Sequence, residues 1–188
     1  MKHIAAWFGA HPLRPALAAL AAILMLGAAA KYSGPPRADR DWYPYLARTA
    51  DVTSDGDRFS VSPVSDWTYT PDGPVAETYG SAEHRIEDLR EVWFLLEPQP
   101  GSQLAAHTLL LFEFPNDRIL GVTIEARRER DEEYSAVNGL FNAFELSYVW
   151  ARSRDLLTRR AVMLGHDVFI YPVAITDEQK RTWLRNLL

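Results

Sequence analysis

The sequence predicts an α+β domain, a mostly antiparallel sheet with few helices, preceded by an N-terminal membrane helix. Three observations carry this. Short stretches of alternating or β-branched residues, bounded by Gly, Pro, Asn and Asp clusters, recur through residues 41–188. Near the C-terminus, Thr176 and Gln179 have the spacing of a helix-starting capping box. A charge-free run from Pro15 to Ala30 sets the first thirty residues apart.

Residues 1–30 read as a signal or anchor segment. Lys2, His3, His11 and Arg14 precede sixteen uncharged residues, which as a helix span ~24 Å against a hydrocarbon layer of ~30 Å. A cleaved signal peptide ending in Ala28, Ala29 and Ala30 fits. An uncleaved anchor that also draws on Ile4 to Leu13 fits as well. Both leave the basic residues inside and everything after Lys31 outside. Residues 31–40 are a polar linker, and 41–188 form the exported domain.

Along that domain, Ser54 to Asp57 and Pro71 to Pro74 are turns, with strands expected at Arg58 to Ser62 and Asp66 to Thr70. Ile86 to Leu89 is a short helical or irregular piece before a buried strand, Glu91 to Leu96. His107 to Phe114 and Ile119 to Arg127 form a β-hairpin around Pro115 to Arg118. On its second strand Leu120, Val122, Ile124 and Ala126 point to the core, whereas Thr123, Glu125 and Arg127 form a polar face. Arg128 to Glu133 is a charged loop. Phe144 to Trp150 alternates as a strand, although Leu140 to Trp150 also reads as a helix; Asp155 to Leu164 is ambiguous, and Asp167 to Tyr171 is a strand closed by Pro172. The final helix carries Trp183, Leu184, Leu187 and Leu188.

Composition narrows the function. Apolar and charged fractions of 47% and 24% are those of a globular protein. A net charge of −5 with dispersed basic residues argues against nucleic acid as a partner. Cysteine is absent, so residues 1–188 hold no disulfide, CxxC zinc site or thiol nucleophile. His84, His107 and His166 lack metal-ligand spacing, and there is no GxSxG elbow, P-loop or GxGxxG. No metal or cofactor is expected. Trp42, Trp67, Trp93 and Trp150 are expected in the core.

His107 is the candidate catalytic residue, at the start of a strand beside the small Ala105 and Ala106. Loop length decides its cross-strand partner. An odd loop places His107 opposite Glu125, and an even one opposite Ala126. The odd loop is the one expected, because only it gives a carboxylate that fixes the imidazole's tautomer.

The order of several short motifs resembles the Lnb N-terminal periplasmic domain family. These are Asp39–Trp42, Ser65–Tyr69, Ala106–Thr108 leading to Phe112–Phe114, Thr123–Arg127, Tyr134–Ser135, Gly139–Phe141, Phe144–Val149, Arg154–Asp155 and Asp167–Pro172. The resemblance implies a periplasmic location behind a membrane helix, and a functional histidine that falls on His107. It also implies a downstream Asn-Cys-Thr motif in a permuted papain-like arrangement, where a strand histidine activates a thiolate. Candidate ligand-binding residues on the matching stretches are Arg127, Glu145 and Tyr148. The chain lacks the Asn-Cys-Thr motif and is C-terminally short relative to the family. It is accordingly expected to be a truncated relative, a pseudoenzyme or one half of a site completed in trans. The expected partners are the membrane, through the N-terminal helix, and a cell-envelope ligand or a second chain.

Overall fold

A computed structural model describes residues 13–32, 37, 39–101, 105–116, 118–134, 139 and 144–188. Lys2, His3 and His11, linker residues 33–36 and 38, Asp117 of the hairpin turn, Ser135 and the helical alternative over 140–143 lie outside the described residues. The chain divides into two compact units, residues 1–40 with 134–145, and residues 41–133 with 146–188.

The first unit contains helix α1 (Leu13–Tyr32), which covers the uncharged run. Among the described residues no helix is long and apolar enough to cross a membrane. The Arg37 backbone amide donates to Glu145 Oε1 at 2.9 Å, and the Tyr134 and Phe144 rings stack with centroids 5.9 Å apart.

The second unit is α+β and mostly sheet. Its strands are β1 (Asp51–Asp55), β2 (Arg58–Ser65), β3 (Thr68–Thr70), β4 (Gly73–Ala76), β5 (Tyr79–Arg85), β6 (Glu91–Pro98), β7 (Ala106–Phe114), β8 (Arg118–Arg127), β9 (Glu145–Arg152) and β10 (Phe169–Pro172). β9 begins in the first unit with Glu145. The sheet order is β1-β2-β9-β8-β7-β6-β10, with β5 also on β2 and a separate β3-β4 ribbon. β1 with β2, β2 with β5, β6 with β7, β7 with β8 and β6 with β10 pair antiparallel, whereas β2 and β9 meet in parallel at Ser65 and Ala151. β1 and β5 are strands that alternation did not reveal: Asp51–Asp55 is too polar to show a buried face.

Both faces of the sheet are covered. On one, Phe59, Val61, Phe112, Phe114, Leu120, Val122 and Trp150 pack with Leu184 of α3 (Asp177–Leu187). Thr176 caps α3 in the expected reciprocal box with Gln179. Lys180, only 7% exposed, ties α3 to the sheet by donating to Glu91 at 3.0 Å and to the Arg90 carbonyl at 3.1 Å. On the other face, Leu95, Leu109, Leu111 and Ala151 receive Leu156 of α2 (Ser153–Thr158), which continues as a π-turn, Arg159–Met163. The ambiguous segment is therefore helical.

Gly121 is what lets α2 lie this close. A Cβ there would overlap Leu156 Cδ1 and stand 2.7 Å from Leu111 Cδ2. The buried carboxylate of Asp155 pins the same helix to the end of β2 and to β3. It accepts from the Ser65 hydroxyl, the Trp67 amide at 2.8 Å and the Tyr69 hydroxyl at 3.1 Å. Two of the motif stretches, Ser65–Tyr69 and Arg154–Asp155, are thus joined.

One expectation is corrected here. The Thr123, Glu125 and Arg127 face of β8 is not solvated: Thr123 is 1% and Arg127 6% exposed, whereas Ile124 on the supposed core face is 43% exposed. Alternation reports polarity, and on β8 the polar residues meet one another under α2 and the segment 42–47 instead of meeting water. Trp42, Trp67 and Trp150 are buried, and the indole of Trp93 donates to Glu113 at 3.0 Å.

Candidate functional site

β7 and β8 form the expected hairpin, with Asn116 between them in the left-handed region at φ 62°. The register runs from Phe114 opposite Arg118 to Leu109 opposite Thr123, an odd connection by numbering. Continued by two residues, it puts His107 opposite Glu125. Their side chains meet, with His107 Nε2 3.2 Å from Glu125 Oε1. The odd-loop register expected from the sequence is the one formed.

A third group, Thr123, lies two residues before Glu125 on the same face. Its Oγ1 is 2.6 Å from His107 Nε2 and donates to Glu125 Oε1 at 3.0 Å. A hydroxyl has one proton, and here the carboxylate takes it. Nε2 must then be the donor towards Thr123. The neutral ring is fixed as the Nε2–H tautomer, and its lone pair lies on Nδ1. Among the described residues Nδ1 has no hydrogen-bond partner. The ring is 25% exposed, so an approaching group has access.

Glu125 is held in turn by Arg160, which α2 and its π-turn deliver to the sheet. Arg160 is 3% exposed and donates through Nη2 to Glu125 Oε1 at 2.9 Å, through Nε to Glu97 Oε2 at 2.8 Å, and through Nη1 to the Leu156 carbonyl at 3.1 Å. Glu97 is the cross-strand partner of His107 on β6, and its other oxygen meets His166 Nδ1. One buried guanidinium therefore bridges two carboxylates, each bonded to an imidazole. Burial pushes the Glu125 carboxyl up, but the hydrogen bond and charge of His107, with Arg160 and Arg159, outweigh it. The net effect lowers it to about 2. It is an ionised acceptor at neutral pH.

Sequence reasoning found His107 and Glu125 but missed Thr123, Glu97, Arg160 and His166. Thr123 carried a usable signal, since period two places it beside Glu125. Arg160 and His166 carried none, because tertiary packing brings them in.

The remaining sequence-predicted residues lie elsewhere. Arg127 is a structural clamp: it donates to the carbonyls of Leu46 and Ala47 at 3.0 and 3.1 Å, and stacks over Trp42 at 4.1 Å. Glu145 accepts the Arg37 amide in the first unit. Tyr148 is 47% exposed and lines a shallow cleft with Tyr45, Arg48 and Tyr79. His84 stacks on Phe114 at 3.9 Å, at the opposite end of β7 from His107. Among the described residues no group of three or more His, Asp or Glu side chains is placed to hold a metal. An apolar groove of about 240 Å³ lies on the opposite sheet face from His107, lined by Phe94, Thr108, Leu110, Val122, Ile124 and Trp183.

Fold and site together define a class, a mostly antiparallel α+β domain presenting a partly exposed imidazole bonded to a carboxylate. Residues 76–188 match the Lnb N-terminal periplasmic domain family, and the chain belongs to that family. No curated protein and no solved structure is significantly similar to it.

Proposed function

We propose that this chain is a periplasm-facing domain carrying the base half of an acyl-transfer site, silent as a thiol enzyme on its own residues. The observation behind this reading is His107, with Nε2 held by Thr123 and Glu125 and Nδ1 left open. In transfer to a thiol, a base takes the S–H proton and the thiolate attacks the acyl carbon. An S–C bond forms, the C–O or C–N bond breaks, and the proton passes to the leaving group. Nδ1 is the atom for that proton. The sulfur is not among residues 1–188, so a separate chain or segment supplies it. The acyl donor is a cell-envelope ester or amide. The absence of a partner on Nδ1 among the described residues is what supports the likeness to a permuted papain-like site.

The test uses the full chain in detergent with a chromogenic ester, with and without a small added thiol. Without thiol, wild type and His107→Ala should show the same background. With thiol, wild type should be faster by on the order of 10²-fold, an advantage lost in His107→Ala. Thiol-free turnover that disappears in His107→Ala overturns the silent part of the reading. Equal thiol-dependent rates overturn the base role.

The family's periplasmic description and the uncharged run in α1 support export, with the domain held at the inner membrane or released after cleavage. Protease protection in spheroplasts and N-terminal sequencing of the mature chain separate these outcomes. The apolar groove favours a second reading, an envelope binding module. On that reading, Trp183 fluorescence responds to an apolar envelope ligand and His107→Ala leaves the response unchanged.

A further inference from the structure

We infer that Arg160 is the positioning residue of this site, acting on His107 through Glu125 and on His166 through Glu97. The inference rests on the base role proposed for His107, but its test reads the imidazole directly and needs no turnover.

Three observations point to Arg160. Its guanidinium is 3% exposed, so water screens its charge little, and it donates to Glu97, to Glu125 and to the Leu156 carbonyl of its own helix. Its fork reaches two different carboxylates from separate nitrogens, Glu97 Oε2 at 2.8 Å from Nε and Glu125 Oε1 at 2.9 Å from Nη2, where a lysine would offer a single ammonium nitrogen. The Glu125 oxygen it holds is also the one that accepts from Thr123 and faces His107 Nε2. Arg160 thereby fixes the oxygen that takes the Thr123 proton, and that proton's direction decides the His107 tautomer. The second arm is built alike: His166 Nδ1 meets the remaining oxygen of Glu97, and the His166 backbone amide donates to the Arg160 carbonyl at 3.0 Å. The ring of His166 is 22% exposed, close to the 25% of His107. A single cation orients two partly exposed imidazoles, one on β7 and one on the segment before β10.

The test is ¹⁵N NMR of the histidine rings in the full chain at a pH where they are neutral. In wild type, His107 should show one tautomer, protonated on Nε2 and unprotonated on Nδ1. A mixed-tautomer wild-type ring overturns the inference before any variant is made. In Arg160→Met both nitrogens of His107 should move towards their average, and His166 should shift too. Arg160→Lys should restore one ring at most. Removing Arg160 alone leaves two carboxylates facing each other, so Arg160→Met with Glu97→Gln is made in parallel. This pair removes one charge of each sign and preserves the prediction for His107. A folded variant that retains the wild-type His107 tautomer shows that Arg160 does not position it, whatever the outcome for acyl transfer.

Discussion

His107 Nε2 lies 2.6 Å from Thr123 Oγ1, and because that hydroxyl gives its proton to Glu125, the imidazole is the donor of the pair. A threonine that looks like an ordinary strand residue thus decides which ring nitrogen is basic. Thr123→Val preserves shape at a site 1% exposed and removes only the hydroxyl. It should cost about 1 kcal/mol in chemical denaturation. The His107 Nε2 proton should exchange faster with solvent, since only the longer contact to Glu125 remains. An unchanged exchange rate would show that the hydroxyl does not hold the ring.

Gly121 and Leu156 form the contact that seats α2. Gly121→Ala should cost about 1–3 kcal/mol, the range for an over-packed core. Leu156→Ala should cost about 2–5 kcal/mol through the cavity it leaves. The informative measurement is the double variant: with Leu156 shortened, the new methyl at 121 has space, so the two losses should fall well short of their sum. Additive losses would mean that the methyl is accommodated by movement of Leu111 or the backbone instead.

The parts of this fold legible in the sequence are those fixed by local periodicity. Thr176 and Gln179 are three residues apart and announced α3. The alternation on either side of Pro115 announced the hairpin. Given the odd loop, period two placed His107 on the face of Glu125. What periodicity could not supply is the neighbour across the tertiary gap. Arg160 is 35 residues from Glu125 and arrives only because Gly121 admits Leu156. His166 read as one of three scattered histidines, and nothing local distinguishes it from His84, which serves as a stacked ring. The burial of the polar face of β8 is illegible for the same reason: a buried ion cluster and a solvated surface have the same alternating pattern.

Asp155 accepts from Ser65, Trp67 and Tyr69. Burial raises its carboxyl above the usual range despite these donors. Asp155→Ala leaves three donors unanswered in the interior, each worth about 1–3 kcal/mol when unsatisfied. The expected loss is about 3 kcal/mol or more. Asp155→Asn retains one acceptor oxygen and should cost less than Asp155→Ala. If the two variants are equal, the geometry of the three-donor cradle, and not its count, decides the stability.

Acid stability should fail first at a histidine outside the site. Burial pushes the His84 imidazole down to about 4, with Arg118 and Arg152 adding to the effect and Asp88 opposing it. The unfolded ring has the ordinary value of about 6.5. Between those values the unfolded chain takes up a proton that the folded ring refuses, so stability falls as pH drops from about 6.5 to about 4 and is level above it. At ~1.4 kcal/mol per pH unit the loss approaches about 3 kcal/mol. Glu125 continues the decline lower down: its folded value of about 2 means that its contribution is complete above the ordinary carboxyl range and is lost as pH falls through it. Asp155 acts in the opposite sense, because its raised carboxyl binds a proton sooner in the folded state. Denaturation midpoints measured from pH 7 to 4 should therefore slope downward in wild type, and His84→Leu should flatten the upper part of that slope, from 6.5 to about 5. A variant with the wild-type slope would move the acid sensitivity to some group other than the ring stacked on Phe114.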